Sequence, residues 1–176
     1  MLPRLKRRGL DVPLSAQPGS GVFSGYASLF NQRDASGDIV MPGAFYQSLL
    51  RRPAEDIRML FQHDPAEPVG TWLEVRETER GLYVLGRLNK NVQRGHELLA
   101  LLESGGIDGL SIGFKTVSAR KDKISDARLL TKIDLWEISL VTFPMLDGAR
   151  VSAVKSHNRA KADSLFTSSL ARSTQS

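Results

Sequence analysis

Between Val22 and Val141 the chain repeats one pattern: a short run rich in apolar, β-branched or aromatic residues, then a cluster of Gly, Pro, Asn or Asp. Such runs read as strands, and here they are Val22–Phe30, Ile57–Gln62, Val69–Glu77, Leu82–Leu88, Leu110–Val117 and a long final strand Leu129–Val141. His63-Asp64-Pro65-Ala66-Glu67-Pro68 reads as a turn, Glu79-Arg80-Gly81 as a hairpin connection and Asp122–Asp126 as a polar turn. Two segments carry helical spacing instead. One is opened by Pro42, buries Phe45, Leu49 and Leu50, and stops at Pro53. The other is Asn91–Ser104, with Val92, Leu98, Leu99, Leu101 and Leu102 apolar and Gly105-Gly106 as its stop. Six or so strands and two helices predict an α+β, mainly β, chain: a mostly antiparallel sheet or barrel with helices packed outside.

A formal charge of +5 and a pI near 9.7 raise the question of nucleic acid. The charge lies at the ends. Residues 1–10 carry +4 and residues 151–176 carry +3, whereas residues 11–150 carry −2. The expected organisation is a basic tail over 1–20, one domain over 21–154, and a basic Ser/Ala-rich tail over 155–176 with a short apolar group, Leu165, Phe166 and Leu170. Nucleic acid is then not expected as a partner, except weakly through the tails. There is no cysteine, which removes disulfides, thiolate nucleophiles and cysteine-ligated zinc. No apolar run reaches membrane-spanning length and no secretory h-region opens the chain, so neither a membrane partner nor secretion is expected.

Three residues break their local pattern. His63 ends a strand and, by alternation, shares a face with Ile57, Met59 and Phe61, a place for a general base or for a histidine bonding its own turn. Ser111 lies between Gly109 and Gly113, which leave its face bare. That permits close approach of a substrate backbone or of a packing element. Glu137 stands among Leu135, Trp136, Ile138 and Leu140, and an ionised carboxylate there demands a partner: an imidazole N–H, or an arginine. A hydroxyl, an imidazole and a carboxylate are the parts of a nucleophilic acyl-transfer site.

Competing motifs fail on context. Gly109-Leu110-Ser111-Ile112-Gly113 matches G-x-S-x-G, but that elbow needs a helix after the serine and a later histidine, and only His157 in the tail follows. His96-Glu97-Leu98-Leu99-Ala100 lacks the second histidine of a zinc protease. With no Walker A or dinucleotide fingerprint either, no cofactor and no metal is expected.

At these residues the chain resembles the prohead (capsid-maturation) serine proteases of tailed bacteriophages and related gene-transfer particles. The resemblance rests on Gly25–Phe30 with Gly37–Phe45, on Leu60-Phe61-Gln62-His63-Asp64, on Gly109–Phe114, and on Trp136–Pro144. It implies a fold similar to the herpesvirus assemblin proteases, an antiparallel β-barrel of six or seven strands ringed by helices. It also implies cleavage of scaffolding protein, or of the scaffolding segment of the major capsid protein, within the immature procapsid in the host cytoplasm.

By motif, the resemblance makes Ser111 the nucleophile, His63 the base and Glu137 the third member, a role that assemblins give to a second histidine. Asp64 and Asp134 are next in line for it. Backbone N–H groups near Met145 and Leu146 become oxyanion candidates, although Met145-Leu146-Asp147 replaces the Ala-Asn-Pro of many members. Because assemblins dimerise, a homodimer is expected. The alternative is a non-catalytic, scaffold- or capsid-associated assembly protein of the same fold.

Overall fold

The computed structural model describes residues 20–154. The expectations for the two basic tails, for His157 and for the apolar group Leu165, Phe166 and Leu170 lie outside the described residues. The elements are β1 (Val22–Leu29), β2 (Asp38–Val40), α1 (Tyr46–Arg51), β3 (Arg58–Phe61), β4 (Asp64–Glu77), β5 (Gly81–Leu88), α2 (Gln93–Ser104), β6 (Gly109–Lys121), β7 (Arg128–Val141) and β8 (Val151–Val154).

The strands form one sheet in the order β2-β7-β3-β4-β5-β1-β8, with β6 on the other edge of β7. It closes on itself where Leu110 N–H bonds the Ala149 carbonyl at 2.9 Å and Val151 N–H bonds the Asp108 carbonyl at 2.8 Å. The result is a barrel of eight strands, and it is mixed: β2 and β3 both run parallel to β7. The expected mostly antiparallel character holds, since β1–β5, β1–β8, β3–β4, β4–β5 and β6–β7 all pair antiparallel, and the short strands β2 and β8 bring the expected six or seven strands to eight. Chains crossing over through α1 return parallel, and β2 and β8 are too short, at 3 and 4 residues, to show alternation.

The interior is filled from every strand. Phe23 meets Trp72 edge to face at 5.6 Å, and Met59, Leu82, Val84, Leu110, Ile138 and Leu140 are buried around them. From α2, Leu98, Leu99 and Leu102 reach this core, while Val92 and Leu101 are exposed; Gly105, at φ +75°, ends the helix. Helix α1 is shorter than expected. Phe45 is fully buried just before it, but Leu50 is 65% exposed, because one residue past Leu49 lies about 100° further round the helix.

The predicted turn His63–Pro68 is also displaced. The chain reverses at Gln62-His63, and Asp64–Pro68 already belongs to β4. Its prolines fit because this end of β4 pairs with β3 alone, through a register broken at Leu60 and Phe61.

Candidate active site

His63 is set by its turn. Phe61 pairs with Asp64, which leaves Gln62 and His63 as a two-residue hairpin loop with φ of 54° and 61°. Positive φ at both positions is the type I′ geometry that matches strand twist but favours Asn and Gly. The turn is pinned to β7: Gln62 N–H bonds the Leu140 carbonyl at 2.9 Å, and Gln62 Nε2 donates to Thr142 Oγ1 at 2.7 Å. His63 therefore does not continue the strand face of Met59, as alternation alone predicts. The turn lifts its ring over β6 and β7.

Ser111 lies on β6 directly opposite Ser139 of β7, and Gly113 lies opposite Glu137. His63 Nε2 is 2.9 Å from Ser111 Oγ, and His63 Nδ1 is 2.6 Å from Glu137 Oε1. The bare surface at Gly113 is occupied from within the protein: a Cβ there would come within 1.9 Å of Glu137 Oε1. Gly109 likewise accommodates the Val141 carbonyl. Glycine at these positions makes room for β7 and its carboxylate.

Among the described residues Glu137 has no arginine partner. Its second oxygen, Oε2, accepts the Ser139 hydroxyl at 2.6 Å, and Ser139 Oγ in turn accepts the His63 backbone N–H at 3.2 Å. Fully buried Ser139 thus ties the carboxylate and the histidine turn together. Sequence reasoning did not single it out; its place two residues after Glu137, on the same strand face, was the available signal.

Asp64 instead caps the Ala66 N–H at 2.8 Å, and Asp134 holds Arg52 and the Trp136 indole. His96 sits exposed on α2. Among the described residues, no group of three or more metal-ligating side chains gathers.

Beyond Leu110 no described strand pairs with the outer edge of β6, and a cavity of about 150 Å³ opens beside Ser111. Its walls include Leu110, Ile112, Met145, Leu146, Ala27, Leu29, Asp34 and Asp38. The two carboxylates are already engaged. Asp34 accepts the Ser36 and Asp38 N–H groups, both at 2.9 Å, and Asp38 pairs with Arg128 at 2.6 Å. Met145 and Leu146 share this cavity with Ser111, and among the described residues their N–H groups have no acceptor.

With this geometry in view, the sequence profile of the caudovirus prohead serine proteases matches residues 8–163. The chain belongs to this family. It is similar to the prohead protease of Enterobacteria phage HK97, 36% identical over 83% of this chain and 65% of that protein. It is also similar to the prohead protease of Escherichia phage T5, 27% identical over 84% of this chain and 70% of that protein. The chain thus spans about two thirds of the length of these relatives.

Among solved structures it resembles the bacteriophage T4 capsid assembly protease (TM-score 0.56, 13% identity, 70% of this chain and 82% of that one). The KSHV protease, a herpesvirus enzyme, gives a TM-score of 0.50 at 13% identity over 84% of this chain and 76% of that one. At such identities the likeness is one of fold. It agrees with the assemblin-like α+β architecture.

In this member of the prohead protease family the hydrogen bond that His63 donates to Glu137 raises the His63 pKa above its ordinary 6.5. The carboxylate's charge adds to that effect, and partial burial opposes it. Fixed from both sides, the imidazole can accept a proton from Ser111 through Nε2 while its Nδ1–H stays on the carboxylate.

Proposed function

We propose that the chain is a serine endopeptidase of procapsid maturation, in which Ser111 is the nucleophile, His63 the general base and Glu137 the group that orients and charge-balances the histidine. The observation that carries this reading is the continuous relay from Ser111 Oγ to His63 at 2.9 Å and on to Glu137 at 2.6 Å. His63 takes the Ser111 proton as Oγ attacks the scissile carbonyl, then delivers it to the leaving amine. Water opens the acyl-enzyme by the same route. The free N–H groups of Met145 and Leu146 are the donors we assign to the developing oxyanion.

The substrate we assign is the scaffolding protein, or the scaffolding segment of the major capsid protein, inside the immature shell. The family supports this assignment. A non-catalytic assembly protein of the same fold would have no use for a histidine strained into position between a hydroxyl and a carboxylate.

The test is co-expression with the cognate capsid and scaffold proteins, comparing wild type with Ser111→Ala and reading fragment termini by mass spectrometry. Discrete fragments with the wild type and none with Ser111→Ala, whose fold is unchanged by circular dichroism, are expected. Equal cleavage by both would remove Ser111 from the mechanism; cleavage by neither would favour the non-catalytic reading.

A further inference from the structure

The register of β6 against β7 slips once beside the relay. Gly113 faces Glu137 but Phe114 faces Leu135, so Trp136 is the extra residue of a bulge. In a regular strand Trp136 and Glu137 would point to opposite faces. Here Leu135 and Ile138 are buried, Glu137 lies across Gly113, and Trp136 is 56% exposed.

The exposed indole is held in place. Its Nε1–H donates to Asp134 Oδ2 at 2.7 Å, and Asp134 is gripped by Arg52 at 3.2 Å. An open groove of about 410 Å³ lies against it, lined by Gly113, Phe114, Lys115, Trp136 and Glu137. Glu137 of the relay is therefore one of its lining residues. Lys115 is exposed and makes no ion pair among the described residues.

We propose that this groove is a substrate subsite. The Trp136 indole takes a large apolar side chain of the polypeptide, and the Lys115 ammonium takes an acidic side chain beside it. The inference rests on the peptidase reading above and names the substrate chemistry of that site. Continuity selects the occupant. An extended peptide reacting at Ser111 advances roughly 3.3 Å per residue and reaches Gly113 and the groove within about two residues of the cut. Tryptophan is among the residues most enriched at binding hot spots, and the free cation supplies the complementary charge.

The test uses the full chain and a randomised decapeptide library, with cleavage products read by mass spectrometry. The wild type should show a large apolar residue at one fixed position from the cut and an acidic residue next to it. Trp136→Ala should flatten the apolar preference and raise KM about tenfold with kcat within about twofold. Lys115→Glu should replace the acidic preference with a basic one. A small fluorophosphonate without a peptide portion should label Ser111 equally fast in all three proteins, which shows that the relay is undisturbed.

An unchanged profile and KM in Trp136→Ala would overturn the subsite and leave the peptidase reading intact. A Trp136→Ala protein that sediments as a monomer where the wild type is a dimer would make the groove an interface between copies instead. A wild type that neither cleaves the library nor is labelled would remove both readings.

Discussion

Histidine is an uncommon occupant of the left-handed second position of a tight hairpin, and a non-glycine residue there costs about 1–2 kcal/mol. His63 is kept at φ 61° by bonds at both ends of the residue: its N–H on Ser139 and its ring between Ser111 and Glu137. The raised pKa has opposite consequences for activity and for folding. To act as the proposed base His63 must be neutral, so cleavage should rise with pH through a midpoint above 6.5. The protonated, Glu137-paired form stabilises the fold fully below 6.5, and that contribution is lost as pH rises through the folded-state value. Glu137→Gln removes the carboxylate's charge and weakens the bond to His63, so the midpoint should fall relative to the wild type while the rate drops roughly 10³–10⁴-fold. A pH–rate profile of kcat/KM for the two proteins checks this, and an unshifted midpoint would place the histidine's partner elsewhere. Gly113→Ala should be nearly as damaging, since its Cβ would fall on the Glu137 carboxylate. Wild-type kcat/KM in Gly113→Ala would show that the Glu137 side chain can move aside without loss.

The site residues of the reading were visible in the sequence because each interrupts an apolar pattern. Ser139 was not, because a small hydroxyl residue inside a strand looks like ordinary packing until its partners are known. The same contrast holds for elements. Long strands and the Gly105 stop of α2 announce themselves by period and punctuation. The Gln62-His63 turn does not, since neither residue type signals a type I′ loop and the prolines beyond it draw attention away. Nor does the sequence reveal that α1 completes the sheet. Between β2 and β3 the edge of β7 has no strand beside it, and the segment around α1 supplies the bonds. The Ala44 carbonyl takes the Ile133 N–H at 3.0 Å, buried Ser48 Oγ takes the Leu135 N–H at 2.8 Å, and Arg52 donates to the Leu135 carbonyl. Ser48→Ala would leave the Leu135 N–H buried and unpaired, at a cost of about 1–3 kcal/mol. A fall in Tm of roughly 3–10 °C is expected by calorimetry. A Tm within one degree of wild type would mean that the helix does not serve as the missing strand.

At the scale of the whole molecule, barrel closure and charge are separate matters. The barrel closes at Gly109 and Leu110, immediately before Ser111, so β6 leaves the seam where the cavity opens. Residues 20–154, which build the barrel, carry 16 basic and 17 acidic side chains, and the excess positive charge of the chain lies outside them. Within the barrel the cations are unevenly placed: Lys115, Arg120, Lys123 and Lys132 stand exposed on the β6–β7 hairpin. Weak nucleic-acid binding through the ends of the chain is the expectation to test, with this hairpin as the competing surface. Because each phosphate contact steepens the dependence of binding on salt, the two can be separated in the full-length protein. Replacing Arg4, Lys6, Arg7, Arg8, Lys155, Arg159, Lys161 and Arg172 by Gln should abolish DNA binding, measured by fluorescence anisotropy between about 50 and 200 mM salt. Cleavage of a peptide substrate should be unchanged in that variant, since Ser111, His63, Glu137 and the groove beside them are untouched. If the variant keeps the wild-type salt slope, the hairpin carries the contacts, and substitution of its four cations becomes the change that removes them.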